Sequence, residues 1–344
     1  MYKPDNLKTI LAIRFSAMGD VAMTIPVMKK VLDENPDVRI VFVSNKNWGA
    51  LCEGIPGLHF FPADLKGEHK GFKGLYRLYK SIRRTYFAID QVADLHQVLR
   101  SQILRTFFRL RLIKVKVIDK GRSEKKALAR QENKELKPLT STIERYADVF
   151  RKLGHKVDMS TTPPVFPRLP LPAGITKTTR KWIGLAPFAT YREKTYPLDK
   201  IEQVLASLVQ QPDTTVLLMG GGAREVEQLT ALAAKYPAAI VVAGRYKLPE
   251  EMAIISQMDV MISMDSANMH LASLFGVRVV SVWGATHPYA GFMGYGQSIE
   301  NAVQIDTLPC RPCSVFGNKP CFRGDHACME WLPPASVTEK VNIP

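Results

Sequence analysis

Short apolar runs rich in β-branched residues recur along the chain, each followed by a turn and a longer segment with helical spacing. Residues 9–15 (TILAIRF) open the series. Nearly every position there is apolar, as in a parallel strand covered on both faces. A turn, SAMGD, leads into a helical pattern over 21–34, Asn35-Pro36 ends it, and 39–44 (RIVFVS) reads as the next strand. Strand, loop, helix and strand in this order make a βαβ unit. Further strands are predicted at 88–95 and 114–118. Past residue 172 the same grammar returns, with strands at 182–186, 215–219, 239–242, 260–264 and 277–283 and helices at 198–210, 223–235, 250–258 and 268–275. Such alternation argues for an α/β fold with parallel sheets and helices on both faces. Between the halves, 163–172 (PPVFPRLPLP) holds five prolines in ten residues. Each fixes φ and removes a backbone donor, so neither a helix nor a central strand survives there. The expected architecture is two Rossmann-like doubly wound domains facing a cleft, at residues 1–165 and 173–330, with a tail at 331–344.

Composition adds little to this: 46% hydrophobic and 23% charged residues exclude a disordered or collagen-like chain. No apolar run reaches the roughly 18–20 residues that span a bilayer. The N-terminal apolar stretch is too short for a signal peptide, so a cytoplasmic location is expected. Charge changes the picture more. The 344 residues include 47 Lys and Arg against 32 Asp and Glu, a net +15. Through Pro172 there are 32 basic and 17 acidic residues, and beyond it 15 of each, so the whole excess lies in the first half. Two blocks carry much of it: seven basic residues against one acidic over 66–84, and thirteen against four over 100–137. Both are interleaved with aromatics such as Phe72, Tyr76, Tyr79, Phe107 and Phe108. Any single charge fits an ordinary solvated helix face. An excess confined to one half points to an anionic partner, whether nucleic acid, membrane surface or phosphorylated substrate.

In doubly wound sheets, ligands bind outside the carboxyl ends of the strands. Three loops at such positions carry candidate chemistry. Asp20 stands at the start of the helix after the first strand, where it is either a helix cap or a general base able to take the proton of a sugar hydroxyl. Thr190 and Lys194 lie in the loop after the strand at 182–186, as a charged surface loop or as a hold on a diphosphate whose charge grows as it departs. Asp265, Ser266, Ala267 and Asn268 end a strand and begin a helix, whose free N–H groups can bind phosphate, and His270 follows on the first turns. Gly220-Gly221-Gly222 is a weaker phosphate signal, because no Lys-Ser/Thr follows and Glu225 takes the last glycine position of a dinucleotide fingerprint.

Together these motifs resemble the lipopolysaccharide heptosyltransferase family, glycosyltransferase family nine, over nearly the whole chain. IRFSAMGDVAMTIP is similar to the family's opening strand and Gly-Asp loop, and Lys194-Thr-Tyr-Pro to its Lys-x-aromatic-Pro element. MDSANMHLASLFG, followed by VRVVSVWGATHP, resembles its Asp-Ser/Thr-Gly-x-x-His signature and the Gly-x-Thr-x-Pro after it. The resemblance implies a GT-B fold, with the acceptor on the N-terminal domain and the nucleotide-sugar on the C-terminal one, and inverting transfer that needs no metal or other cofactor. It implies Asp20 as catalytic base, Lys194 beside the donor phosphates, Thr190 as a phosphate-contacting hydroxyl, Asp265, Ser266, Ala267 and Asn268 as the diphosphate turn, and His270 as the signature histidine. It further implies ADP-heptose as donor and a phosphorylated lipopolysaccharide core or lipid A-linked acceptor. The basic N-terminal domain would then meet the inner membrane surface peripherally, and no nucleic acid is called for. Two positions depart from the family: its signature glycine is Ala267, and Arg245 stands where a ribose-binding glutamate is common.

Four of the five cysteines fall close together as Cys310-x2-Cys313-x7-Cys321-x6-Cys328. One half has the spacing of a zinc half-site. Structural zinc on these four, with His326 as a substitute ligand, free thiols and a disulfide are all open; Cys52 reads as a core residue. Two other functions remain to be weighed: a related GT-B enzyme such as a sugar epimerase, or a basic nucleic-acid-binding protein with a zinc-ribbon-like segment.

Overall fold

The computed structural model describes residues 7–342. Residues 1–6 and 343–344, the outer ends of the expected first domain and tail, lie outside the described residues. The chain forms two compact units, Met1–Lys120 with Thr142–Thr162, and Gly121–Ser141 with Pro163–Pro344.

The first unit runs β1 (Lys8–Ile13), α1 (Met18–Glu34), β2 (Val38–Asn45), β3 (Leu58–Ala63), α2 (Gly71–Thr85), β4 (Gln91–Asp94), α3 (Leu99–Arg109) and β5 (Lys114–Val117). The chain then enters the second unit, where α4 (Arg122–Ala129) lies, and returns as α5 (Thr142–Leu153). The sheet is parallel throughout, in the order β3-β2-β1-β4-β5. β1 is its centre, and Ile10, Leu11, Ala12 and Ile13 are fully buried, which explains a run apolar on both faces. Leu11, Ile13, Val41, Val43 and Val92 meet Leu75, Leu78 and Ile82 of α2 and Leu104 and Phe108 of α3 in one core. The buried α2 positions recur at i, i+3, i+4 and i+7, so the helix folds as a stripe against the sheet. α1 and α5 pack on each other and on the strands.

The second unit continues with β6 (Lys181–Ala186), α6 (Leu198–Val209), β7 (Thr214–Leu218), α7 (Ala223–Lys235), β8 (Ala239–Val241), α8 (Leu248–Ser256), β9 (Val260–Met264), α9 (Ala267–Leu274), β10 (Arg278–Val282), β11 (Ala302–Val303), α10 (Ala327–Glu330) and α11 (Pro334–Asn342). Its parallel sheet has the order β11-β10-β9-β6-β7-β8. The proline-rich segment has no regular element, and the N–H groups of Val165 and Phe166 donate to the Leu274 carbonyl. The C-terminal segment, read as a tail, folds as α11 against α6, with Val337 and Val341 buried one turn apart. Residues 121–141 also belong here rather than to the first half. The Lys125 ammonium lies 4.3 Å from the Phe292 ring centre, Leu139 N–H donates to the Tyr289 carbonyl at 2.9 Å, and Lys134 Nζ donates to the Pro312 carbonyl at 3.2 Å.

Each sheet reverses direction once. In the first, β1 lies between β2 and β4; in the second, β6 lies between β7 and β9. Doubly wound sheets place ligands at such switch points, outside the strands' carboxyl ends. The first turn of α1, which follows β1, carries Asp20, the loop after β6 carries Thr190 and Lys194, and the turn after β9 carries Asp265. Among the described residues no helix is long and apolar enough to cross a membrane.

Candidate functional site

In the first unit, β1 continues into Arg14, a charged residue that is 7% exposed. Its Nη1 donates to the Leu95 carbonyl at 3.0 Å, its Nη2 meets Asp20 Oδ2 at 2.7 Å, and its guanidinium lies 5.8 Å from the Tyr146 ring centre. Asp20 sits in the first turn of α1, and the same Oδ2 accepts the Ala17 N–H at 3.2 Å. Asp20 is thus a helix cap and an ion-paired carboxylate at once. Both contacts fall on Oδ2, and among the described residues no hydrogen bond or ion pair engages Oδ1. The carboxylate keeps 29% of its side-chain exposure, so its free oxygen can meet a substrate proton.

The end of β4 supports this corner. Asp94 is fully buried, accepts the N–H groups of His96 and Gln97, and pairs with Arg105 at 2.7 Å. The carboxylate thereby organises the turn that carries His96. Burial, together with Arg14 and Lys120, pushes the His96 imidazole down to about 3. The neutral ring can therefore accept the Phe15 N–H on Nδ1, at 3.2 Å. The Tyr146 hydroxyl and Arg14 Nε are buried without a hydrogen-bond partner among the described residues.

In the second unit, Lys194 and Asp265 meet. Their Nζ and Oδ2 are 2.9 Å apart, with side chains 14% and 8% exposed. The pair joins the two loops that flank the β6/β9 switch point, across 71 residues of sequence. Asp265 therefore holds the lysine, while a carboxylate facing a diphosphate directly would repel it. Ser266 is the N-cap residue of α9, but its hydroxyl pairs with Ser263 Oγ at 3.1 Å and makes no cap bond to the helix. The first-turn amides that include Ala267 and Asn268 have no side-chain cap and remain available to an anion. Thr190 is exposed on the β6 loop, and His270 is buried on α9.

Two further residues shape this site. Gly317 has φ +72, and a β-carbon there would overlap Cγ and Cδ of Lys194. The segment between Cys313 and Cys321 thus forms a wall along the lysine stem. Thr286, the threonine of GATHP, is buried, and its Oγ1 has no hydrogen-bond partner among the described residues. A methyl group of Thr286 borders the same glycine.

The four clustered cysteines are free thiols. Among the described residues no group of three or more His, Cys, Asp or Glu side chains is arranged to hold a metal ion. Burial pushes the Cys313 thiol up and the Cys328 thiol up to about 11. What ties the segment down is Arg311, whose guanidinium donates to the carbonyls of Trp283, Gly284, Ile305 and Thr286 and to Gln304 Oε1. Cys52 is buried in the first unit, as its core reading expects.

Comparison with known proteins agrees with this fold. The family described as glycosyltransferase family 9 (heptosyltransferase) matches residues 75–319. A lipopolysaccharide core heptosyltransferase, OpsX, of Haemophilus influenzae is 24% identical over 296 residues, covering 82% of this chain and 80% of that protein. A glycosyl transferase family 9 structure from Veillonella parvula superimposes with a TM-score of 0.75 at 18% identity, covering 99% of this chain and 97% of that one. E. coli heptosyltransferase WaaC with ADP gives 0.70 at 17% identity, covering 97% and 98%. With two parallel doubly wound units of the GT-B class and a match over most of its length, the chain belongs to glycosyltransferase family 9, the heptosyltransferase family, and is a glycosyltransferase.

Proposed function

We propose that the protein transfers heptose from ADP-heptose to a lipopolysaccharide core acceptor, with inversion and without a metal. The first unit would hold the acceptor and the base, the second the donor. Asp20 takes the proton of the acceptor hydroxyl on its unengaged oxygen while Arg14 holds the other oxygen in place. The hydroxyl oxygen bonds to the anomeric carbon on the face opposite the diphosphate, and the bond from that carbon to the diphosphate oxygen breaks. The departing ADP gains negative charge, met by Lys194 Nζ, the first-turn amides of α9 and the Thr190 hydroxyl. Asp265 orients Lys194, and His270 supports the turn from within α9.

The observation that carries this reading is the Lys194–Asp265 pair beside the uncapped start of α9. It sets a cation and a row of amides at the sheet's switch point, where a diphosphate can be held without a bound cation. The names of relatives support the substrates: one is a lipopolysaccharide core heptosyltransferase, and another was solved with ADP. The net charge of +15 supports a phosphorylated acceptor held at the cytoplasmic face of the inner membrane. The test is incubation with ADP-heptose and a heptose-deficient core acceptor, with the product followed by mass spectrometry. Transfer is expected, and Asp20→Ala should lower kcat by about 10²–10⁴. Transfer only from a different nucleotide-sugar would overturn the donor assignment, and full activity of Asp20→Ala would overturn the base.

A further inference from the structure

The face that α2 and α3 turn to solvent is unusual in both its charge and its apolar content. α2 carries Lys73, Arg77, Lys80, Arg83 and Arg84 and no acidic residue. α3 and the turn after it, residues 99–112, carry Arg100, Arg105, Arg109 and Arg111, again with no acidic residue. Of these, Arg105 is committed to Asp94. The others lie on the outer side, where Lys73, Arg77, Lys80, Arg84, Arg100, Arg109 and Arg111 are exposed.

Exposed apolar side chains collect on the same helices. Of twelve large exposed hydrophobic side chains among the described residues, six fall between Phe72 and Leu112. Scattered exposed leucines are ordinary, but this grouping is not. Leu99 is 71% exposed and Leu110 76%. They share one stripe of α3 with Ile103 and Phe107, at i, i+4, i+8 and i+11. Ile103 and Phe107 also pack against the core, so the stripe runs from the margin of the core out to solvent at Leu99 and Leu110. Phe107 joins the α3 stripe to α2, with ring centres 5.6 Å from Phe72 and 5.5 Å from Tyr76. Beyond the helix end, Leu112 projects at 96% exposure.

We propose that this α2–α3 face docks the enzyme on an anionic lipid bilayer, with Phe72, Tyr76, Leu99, Leu110 and Leu112 entering the headgroup boundary and the flanking Lys and Arg residues meeting lipid phosphates. It deepens the reading above, in which the acceptor is held in a membrane. The charge alone would suit any polyanion. The exposed leucines favour a bilayer among them, because the hydrocarbon beneath its phosphates takes several aliphatic side chains out of water at once. A basic helix face with aromatic and aliphatic side chains at its margin has that composition.

The test is co-sedimentation of the full chain with vesicles of phosphatidylcholine alone and of phosphatidylcholine with phosphatidylglycerol. Binding is expected to the anionic vesicles only, and to weaken strongly at about 1 M salt, where the screening length falls to about 3 Å. Phe72→Ser/Tyr76→Ser/Leu110→Ser should bind at least about tenfold more weakly, given the apolar area withdrawn. Leu110→Ser/Leu112→Ser, which alters only side chains at least three-quarters exposed and so leaves folding intact, should weaken binding in the same direction. Both variants should still transfer sugar to a delipidated, water-soluble acceptor. Equal binding of variants and wild type, equal binding to neutral vesicles, or a single-stranded RNA that binds the face with the same loss in the leucine variant would overturn the proposal. Vesicle binding with the expected losses, in a protein that transfers no heptose to any acceptor, would support docking while removing the reading of the reaction.

Discussion

The Lys194–Asp265 pair allows a quantitative test of the second unit. At 2.9 Å the attraction is about 6 kcal/mol for an effective dielectric of about 20, before either group's loss of hydration is counted. Removing one partner of a buried pair leaves the other charge uncompensated, at about 3–5 kcal/mol. Water still reaches 14% of the lysine and 8% of the aspartate, so Asp265→Asn should cost about 3 kcal/mol, the lower end of that range. Lys194→Met/Asp265→Asn removes both charges and should cost only about 1 kcal/mol, so a double-mutant cycle should return a coupling of at least about 2 kcal/mol. The assay is urea unfolding followed by tryptophan fluorescence. Of the four tryptophans, Trp182, Trp283 and Trp331 lie in the second unit, and the first two are fully buried, so the signal reports the unit that contains the pair. Lys194→Met alone should also lower kcat by about 10²–10³, as loss of one charge-stabilising group does. A cost below about 0.5 kcal/mol for Asp265→Asn, or additive single effects, would refute the reasoning.

Three further outcomes are expected. His96 titrates at about 3 in the folded chain and near the ordinary value of about 6.5 when unfolded, so the unfolded chain takes up its proton first. Its contribution is complete above about pH 6.5 and is lost as pH falls toward 3, at up to about 1.4 kcal/mol per pH unit; His96→Asn should flatten this slope in denaturation curves, and an unchanged slope would contradict the assignment. Gly317→Ala places a side chain in the left-handed region and against the lysine stem, so kcat/KM should fall about tenfold or more with a stability loss near 1 kcal/mol, and wild-type kinetics would show that the stem does not pack there. Arg311→Met removes five hydrogen bonds from a buried cation, so it should cost about 3 kcal/mol or more and raise alkylation rates of Cys313 and Cys328, read by mass spectrometry; unchanged labelling would mean that Arg311 does not hold the cysteine segment.

Much of the fold was legible because central parallel strands must be apolar on both faces, and β1, β2, β6, β9 and β10 all lie in such runs. β3 was harder: LHFFPA is short, half exposed and contains Pro62 at a sheet edge. α2 and α3 registered as blocks of charge before they registered as helices, because the aromatic and basic residues on their outer sides obscure the buried stripe. The loops of the site were legible from strand ends, but the partnerships within them were not. Asp265 and Lys194 read as two phosphate contacts, while the fold pairs them with each other. Arg14 is the one charge inside TILAIRF, but nothing local marks it as part of the site, because its bond to Asp20 is set by Leu95 and Tyr146, which only the tertiary fold brings near. Gly317 and Thr286 had no local signal beyond their residue type, because what matters at each is a neighbour distant in sequence.

The chain passes from one unit to the other three times, after Lys120, after Ser141 and after Thr162. A chimaera that joins the first half of one heptosyltransferase to the second half of another at the proline-rich segment would carry residues 121–141 from the wrong parent. Lys125 would then face a foreign counterpart of Phe292, Leu139 a foreign Tyr289, and Lys134 a foreign cysteine segment. The exchangeable modules are therefore discontinuous, and recombination that respects all three crossings should preserve folding where a single crossover does not. The same topology means that a lone nick in the proline-rich segment would leave two fragments interlocked by the inserted stretch, and the nicked enzyme should remain assembled until it is denatured.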